Sequence, residues 1–317
     1  MVPCFERPQR AAIVRDALHD AGHSFVGPQA CPRELIARVH TPSYLEFLST
    51  AHERWRGEGR DGDAVPHTWP ASRPGAVPDC LLGQLGYYVA DAGTAIGEHT
   101  WDAVCGGADV VWAAVQQVQG GERAAMALTR PPGHHAAADL AGGYCLLNFA
   151  AIAAEAFRGE GTGRVAILDV DYHHGNGTQA IFERRADVFF ASIHADPHVA
   201  YPYFTGHAHE RGIGGGQGTT LNLPLPQGTD GPRYAVALQR AVAAITDFDA
   251  GRLVVSLGLD PYVDDPISGF RLTTDDFAAI GRAVAAVGLP TLLVLEGGYH
   301  LDSVGRNTAA FLAGLED

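Results

Sequence analysis

The sequence contains only five cysteines, none of them in a C-x-x-C pair, and no apolar run long enough to cross a bilayer. Scattered cysteines in odd number argue against a disulfide framework and favour a reducing compartment. Residues 1–6 lack the basic and apolar regions of a signal peptide. Basic residues are also scarce, at 22 against 36 acidic ones, which argues against a nucleic-acid surface. We therefore expect a cytoplasmic protein that binds neither membranes nor nucleic acid.

The first third of the chain has helical periodicity and one long interruption. Residues 56–78 are rich in glycine, proline, arginine and aspartate without a sustained period, which predicts a long loop. No segment resembles a linker between domains, so we expect a single domain over residues 1–317. Helices are predicted at Pro8–Ala21, Pro32–His40, Ser43–Arg54, Leu81–Ile96 and Trp101–Gln119.

From residue 124 onward, short apolar strands alternate with helices. This rhythm predicts an α/β fold with a mainly parallel central sheet covered by helices on both faces. The predicted strands are Ala124–Leu128, Val165–Val170, Val188–Ile193, Leu253–Leu257 and Thr291–Leu295, and the predicted helices are Leu147–Phe157, Gly231–Thr246, Thr273–Val287 and Asp302–Leu315.

Unusual polar residues come at or just after the end of each predicted strand. Ligands of parallel sheets bind beyond the carboxyl ends of the strands, so these residues predict one shared site at that edge. In chain order they are His134 and His135, then Asp169, Asp171 and His173, then Ser192 and His194, then Asp260, and finally Glu296 and Tyr299.

Asp171, His173 and Asp260 together offer two oxygens and one nitrogen to a divalent cation. Three protein ligands leave a position open for water and substrate, as a hydrolytic metal site requires. An isolated Asp-x-His is common in solvated loops and proves little by itself. Asp169 strengthens the interpretation, because a carboxylate inside an apolar strand is costly unless a cation or hydrogen-bond donor meets it.

The adjacent pair His134-His135 can move protons at neutral pH, and each ring needs a partner that fixes its tautomer. Asp169 and Asn176 are the candidates for that role. Tyr299, which follows two glycines, can donate a hydrogen bond to the oxyanion of a tetrahedral intermediate. The predicted reaction is therefore metal-assisted hydrolysis of an amide.

Four of these motifs resemble those of the zinc-dependent histone deacetylase superfamily, namely R-P-P-G-H-H-A, D-V-D-Y-H-H-G-N-G-T, S-L-G-L-D and E-G-G-Y. Further stretches resemble the bacterial acetylpolyamine amidohydrolases within it: G-Q-L-G-Y-Y from Gly83, G-G-Y-C from Gly142, D-V-F-F-A-S from Asp187 and D-P-I-S-G-F-R-L-T from Asp265. The resemblance covers nearly the whole chain.

This resemblance implies an arginase/deacetylase-type fold and a set of roles. Zinc, or ferrous iron in the cell, would bind Asp171, His173 and Asp260, with His134 and His135 as acid and base and Tyr299 polarising the acetyl carbonyl. Structural potassium would be held by the Asp169 side chain, Ser192 and the carbonyl groups of Asp171 and His173. Tyr144 and Tyr201 would line a substrate tunnel, and the loop over residues 56–78 would join two subunits of a homodimer and narrow the tunnel.

The expected substrate is a small acylated amine. Acidic tunnel-mouth positions of the acetylpolyamine amidohydrolases correspond here to Leu82 and Gly93, so the resemblance does not carry over polyamine specificity. Deacetylation of protein lysines is the alternative activity, and a non-catalytic acyl-ligand binding protein is a third hypothesis. The complete set of metal and catalytic residues favours an enzyme.

Overall fold

A computed structural model describes residues 4–72, 75–159 and 163–317 of the chain. Two parts of the sequence predictions lie outside these ranges: residues 1–3 of the segment predicted to lack a signal peptide, and residues 73–74 of the predicted long loop. Among the described helices, none is long and apolar enough to cross a membrane.

The described strands form one sheet of six, in which every pair of neighbours is parallel. Their order across the sheet is β1-β6-β5-β2-β3-β4. The strands are β1 (Ala124–Ala127), β2 (Val165–Asp169), β3 (Val188–Ala195), β4 (Thr220–Leu225), β5 (Arg252–Leu257) and β6 (Thr291–Leu295).

Ten α-helices lie in the described part of the chain. Their ends agree with the predicted ones to within a few residues, except for α4 and α7. They are α1 (Gln9–Asp20), α2 (Arg33–Val39), α3 (Pro42–Gly57), α4 (Leu81–Tyr88), α5 (Thr100–Gln119), α6 (Phe149–Arg158), α7 (Asn176–Phe182), α8 (Gly231–Phe248), α9 (Thr274–Ala285) and α10 (Leu301–Glu316).

The sheet has an apolar core on each of its faces. In β2, Val165 and Ile167 belong to one core, together with side chains of α2 to α6. The alternate residues Ala166 and Leu168 belong to the other, together with side chains of α1 and α8 to α10. This alternation follows from the two-residue period of a strand. The predicted α/β fold with helices on both faces is confirmed.

Three elements differ from the prediction. Strand β4 was not predicted, because its short sequence T-L-N-L-P-L contains Pro224, and proline argues against a strand except at the edge of a sheet, where β4 lies. Helix α7 was taken for a loop because of its G-N-G sequence. Helix α4 ends at Tyr88 instead of Ile96, since Val89 is extended and pairs with Ala141.

The neutral ring of His40 connects the helical layer to the segment that leads to the site. His40 Nε2 accepts a hydrogen bond from the backbone N–H of Asn148 at 2.9 Å. The Asn148 side chain caps α6 through the N–H of Ala151 and donates to the carbonyl of Ala136, next to His134-His135. Burial lowers the pKa of His40 to about 4, so the ring is uncharged at neutral pH.

We predict that protonation of His40 destabilises the fold. Since the pKa of His40 is about 4 in the native state and about 6.5 in an unfolded chain, the unfolded state binds more protons between these values. The contribution of about 3 kcal/mol is fully present above pH 6.5 and is lost as the pH falls towards 4. In denaturant titrations, the stability difference between the wild type and His40→Gln should narrow from pH 7 to pH 5. The free energy of unfolding of the exposed control His19→Gln should follow that of the wild type at each pH. If the values for His40→Gln also ran parallel to those of the wild type, the assignment to His40 would be contradicted.

Candidate active site and metal centre

The ends of β2 and β5 bring three metal-ligating side chains together. Asp171 and His173 follow β2, and Asp260 follows β5, which is the direct neighbour of β2. One ligand atom from each residue lies within 4.8 Å of the others. In the described part of the chain, no other cluster of three or more His, Cys, Asp or Glu residues is as close. Two carboxylates and an imidazole are a suitable donor set for zinc or ferrous iron, so these residues fit a divalent cation.

Hydrogen bonds orient the three groups towards one another. His173 Nδ1 lies 3.0 Å from Asp260 Oδ2 and 3.2 Å from Asp171 Oδ1. The other carboxylate oxygens accept from backbone N–H groups, Asp171 Oδ2 from Gly297 and Asp260 Oδ1 from Tyr172, both at 2.9 Å. An added Cβ at Gly297 would lie 2.5 Å from Asp260 Oδ2 and 2.6 Å from Asp171 Oδ2, so only glycine fits between them.

The site concentrates buried charge. Burial, followed by the nearby Asp171 charge, raises the pKa of Asp260 to about 7. For His173, burial lowers the pKa, but hydrogen bonds to both carboxylates outweigh it and raise the value to about 9. The cluster of Asp171, His173 and Asp260 therefore holds a proton at neutral pH unless another cation takes its place.

His134 and His135 have contrasting environments. His134 Nδ1 lies 2.9 Å from Asp169 Oδ2, and His135 Nδ1 lies 2.7 Å from Asn176 Oδ1. The two imidazole centroids are 4.0 Å apart. The predicted partners, Asp169 for one histidine and Asn176 for the other, are therefore in place.

The different partners move the two pKa values in opposite directions. Burial lowers the pKa of His134, but the carboxylates of Asp169 and Asp171 outweigh it and hold the value well above the usual one. Burial and the neighbouring His134 and His173 hold the pKa of His135 well below its usual value. These environments favour the cationic form of His134 and the neutral form of His135, and a pair whose pKa values are shifted apart can divide acid and base roles.

Tyr299 is held from two sides. Its backbone N–H donates to Asp265 Oδ2 at 2.7 Å, and its ring lies 4.7 Å from the guanidinium of Arg10. Burial holds the pKa of Tyr299 well above its usual value, so its hydroxyl remains a hydrogen-bond donor.

Arg10, on α1, is buried and supports the backbone that leads to Tyr299. Its side chain donates to the carbonyl of Gly298 at 2.6 Å and to that of Glu296 at 2.5 Å, while Glu6 supplies an opposite charge at 3.3 Å. The guanidinium group therefore fixes the segment between β6 and Tyr299.

Glu296 supports the histidine segment in a similar way. Its Oε2 accepts from the backbone N–H groups of Gly133 at 2.6 Å and His134 at 3.1 Å, and its Oε1 accepts from Ser256. The sequence places Glu296 at the predicted shared site but indicates no specific role for it, and it does not single out Arg10 or Asp265 as site residues. A signal existed for Glu296, since an acidic residue directly after an apolar strand needs partners as much as Asp169 does.

Two tyrosine rings flank these groups. The Tyr201 ring lies edge-on to His135, with centroids 4.9 Å apart, and the Tyr144 ring lies 5.9 Å from that of Tyr299. Gly93 lies beside Tyr144, because an added Cβ would be 3.7 Å from its ring. Leu82 is half-buried on α4 against the first core.

Ser192 is the register partner of Asp169 on the neighbouring strand β3, and both are fully buried. The Ser192 hydroxyl pairs with His194 Nδ1 at 2.8 Å, and His194 Nε2 pairs with the carbonyl of Gly206. The Asp169 side chain contacts His134 through Oδ2 and the N–H of Asp171 through Oδ1.

Comparison with known proteins identifies the family of this chain. The sequence model of the histone deacetylase domain matches residues 4–315. This range includes every metal, histidine and tyrosine position described above, and the chain belongs to this family of deacetylases.

Individual relatives cover almost the whole chain. Acetylpolyamine amidohydrolase 1 of Pseudomonas aeruginosa is 48% identical over 99% of this chain and 92% of its own. The acetylpolyamine amidohydrolase of Mycoplana ramosa is 44% identical over 99% of this chain and 93% of its own. The crystal structure of the acetylpolyamine aminohydrolase of Burkholderia pseudomallei superposes with a TM-score of 0.95 at 41% identity, covering 99% of this chain and 91% of that one.

We predict that Arg10 supports catalysis without touching the substrate. In Arg10→Lys, an ammonium cannot reproduce the planar fork that reaches two carbonyls, so Tyr299 should lose its alignment. We expect kcat to fall by about tenfold to a hundredfold while metal content is retained. The control is Arg15→Lys on the same helix, whose exposed side chain contacts only Asp16. Equal steady-state rates for both variants would remove Arg10 from this role.

Proposed function

We propose that this chain is a metal-dependent amidohydrolase that removes an acetyl or other short acyl group from the amine of a small molecule, with acetylated polyamines as the substrate class. The observation that carries the proposal is the metal-ligating trio, Asp171, His173 and Asp260, beside two histidines that pair with a carboxylate and with an amide and whose pKa values are shifted in opposite directions. Relatives named acetylpolyamine amidohydrolases, at 44% and 48% identity, support the choice of substrate.

Zinc or ferrous iron is the proposed cation at Asp171, His173 and Asp260. Bound there, such a cation polarises the amide carbonyl and makes a water molecule more acidic. The same three residues leave room for both reactants, because they supply fewer ligands than a closed structural site does.

His135 is the proposed general base and acid. Its Nδ1–H is directed to Asn176 Oδ1, which leaves Nε2 with the lone pair that accepts a proton from the attacking water. The lowered pKa of His135 keeps that nitrogen unprotonated before the reaction. Nε2 then passes the proton to the leaving amine.

His134 is proposed to remain a cation during the reaction. Its Nδ1 proton is directed to Asp169, and its Nε2 lies 3.7 Å from Asp171 Oδ1, inside the site. A fixed positive charge there stabilises the negative charge of the tetrahedral intermediate. Tyr299 donates its hydroxyl hydrogen to the same oxyanion.

We further propose a potassium ion near Asp169 and Ser192. The two residues are register partners deep in the sheet, and the carbonyl groups of Asp171 and His173 follow directly on the chain. A carboxylate, a hydroxyl and carbonyl groups form the all-oxygen donor set that hard cations bind.

Dimerisation through the loop over residues 56–78 also remains a proposal, as does the single domain over residues 1–317. The described part of this loop exposes Trp69 and Val77, at 44% and 39% of their surface, which gives a partner subunit apolar side chains to cover. Trp69 also donates to the carbonyl of Val89 after α4. A partner bound here would therefore act on the segment that leads to Gly93 and Tyr144.

A matched substrate panel tests the function. Zinc-loaded protein should hydrolyse N-acetylputrescine and N-acetylspermidine faster than an acetyl-lysine peptide, and chelation should abolish all of these activities. A neutral N-alkylacetamide of equal length isolates the effect of the substrate charge. Preference for the peptide would favour the lysine deacetylase, and no turnover of any probe would overturn the proposal.

Two substitutions should separate the metal and tyrosine roles. Tyr299→Phe should lower kcat by a factor of about a hundred to a thousand and keep its metal, because only an oxyanion donor is lost. Asp260→Ala should lose metal on dialysis, because two ligands seldom hold zinc. Elemental analysis and initial rates measure both effects, with Tyr87→Phe on α4 and the exposed Asp264→Ala as controls. Full activity in Tyr299→Phe, or full metal content in Asp260→Ala, would contradict the assigned role.

A further inference from the structure

Asp91, a few residues after α4, accepts hydrogen bonds from three segments of the chain. Its Oδ1 accepts from the N–H of Gly93 and of Thr94, both at 2.9 Å, and from Thr94 Oγ1 at 3.1 Å. Its Oδ2 accepts from the N–H of Gly143 at 2.7 Å and from the hydroxyl of Tyr201 at 3.0 Å. One carboxylate thus joins the turn after α4 to both segments that carry the flanking tyrosines.

Turn formation explains only part of this arrangement. An aspartate that accepts from backbone N–H groups two and three residues later is a common turn device, which accounts for Gly93 and Thr94. Gly143 and Tyr201 are 52 and 110 residues away along the sequence, and a turn needs neither of them. Asp91 Oδ1 therefore stabilises the local turn, whereas Asp91 Oδ2 connects that turn to two distant segments.

The first of the two joined segments has an unusual backbone. Gly143 has a φ of 55° and Tyr144 has a φ of 68°, a region that residues other than glycine rarely adopt. The two N–H groups that define this bend are both held by the Asp91 turn, that of Gly143 by Asp91 and that of Tyr144 by Thr94 Oγ1 at 2.9 Å. The direction of the Tyr144 ring thus depends on the turn.

The second segment is fixed through its side chain. The Tyr201 ring lies edge-on against His135, at an interplanar angle of 88°, while its hydroxyl is anchored on Asp91. Contacts at both ends of the ring leave it little freedom to tilt. The backbone of Gly142 also lies close to this hydrogen bond, since an added Cβ there would be 3.1 Å from the Tyr201 hydroxyl and 3.3 Å from Asp91 Oδ2.

Among the described residues, no ion pair competes for the Asp91 carboxylate. The chain contains no lysine, and within the described ranges no arginine or histidine nitrogen lies within 4.0 Å of Asp91. All of its described partners are N–H and O–H donors of the turn after α4 and of the segments that carry Tyr144 and Tyr201.

We propose that Asp91 is a positioning residue that sets the spacing between the Tyr144 and Tyr201 rings and thereby selects unbranched amine chains. A rigid slot between two fixed aromatic rings admits a linear methylene chain and excludes one that carries a methyl branch beside the amide. This inference rests on the proposed amidohydrolase function and adds the shape of the accepted amine to it.

The test compares two neutral probes of equal composition, a linear N-alkylacetamide and its isomer with a methyl branch close to the nitrogen. A methyl group in a fitted site is worth a factor of about 10 to 200 in kcat/KM. The wild type should therefore prefer the linear probe, and Asp91→Ala should reduce the linear-to-branched ratio of kcat/KM by about tenfold. Tyr201→Phe, which removes one of the five hydrogen bonds, should give a smaller decrease in the same ratio.

The linear-to-branched ratio of kcat/KM separates a positioning role of Asp91 from a general structural role. A loss of folded protein lowers the rates for the linear and the branched probe equally and leaves this ratio unchanged. Asp91→Asn keeps the shape and one acceptor oxygen, so it should restore part of the preference, and the exposed Asp79→Ala should match the wild type. The melting temperature and metal content of each variant show whether it is folded and metal-loaded. If Asp91→Ala does not fold, the ratios measured for Asp91→Asn and Tyr201→Phe test the inference in its place. An unchanged ratio in the folded variants would overturn this inference alone. A wild type that hydrolyses N-acetylputrescine but neither neutral probe would also overturn this inference, because charge and not chain shape would then decide. Failure of the wild type to hydrolyse N-acetylputrescine as well would instead overturn the proposed function.

Discussion

The energetic constraint on which the site depends is the burial of negative charge. Asp169, Asp171, Asp260 and Glu296 are all fully buried at one edge of the sheet. Such charges are stable only when hydrogen-bond donors and cations surround them. The protein supplies backbone N–H groups for each of them, from Asp171, Gly297, Tyr172 and Gly133. A divalent cation bound to Asp171, His173 and Asp260 would compensate the negative charge that these hydrogen bonds leave unbalanced.

Side-chain periodicity explains why so much of the fold could be read from the sequence. Five of the six strands and most helices follow from apolar spacing, because burial on both faces of a parallel sheet demands it. The exceptions have other causes: β4 is an edge strand whose Pro224 argues against a strand, and the early end of α4 depends on a distant pairing between Val89 and Ala141. Contacts of that kind have no local counterpart in the sequence.

The same contrast between local sequence signals and distant contacts separates the site residues that could be predicted from those that could not. Asp171, His173 and Asp260 could be predicted because ligands follow the ends of parallel strands. Arg10 could not, since it acts on the carbonyl groups of Glu296 and Gly298, 286 and 288 residues away, and backbone atoms have no identity in a sequence. The same holds for Asp91, whose partners at Gly143 and Tyr201 become neighbours only in the folded chain.

Helix α1 packs against α10, and Arg10 reaches across to the segment that carries Tyr299. The first and last helices of the chain thus enclose the same strand end. During synthesis the amino-terminal part leaves the ribosome first and must wait for β6 and α10 before its buried arginine finds its carbonyl partners. The contacts of Arg10 with Glu296 and Gly298 therefore form only after β6 has been synthesised, so the segment that carries Tyr299 is fixed late in folding.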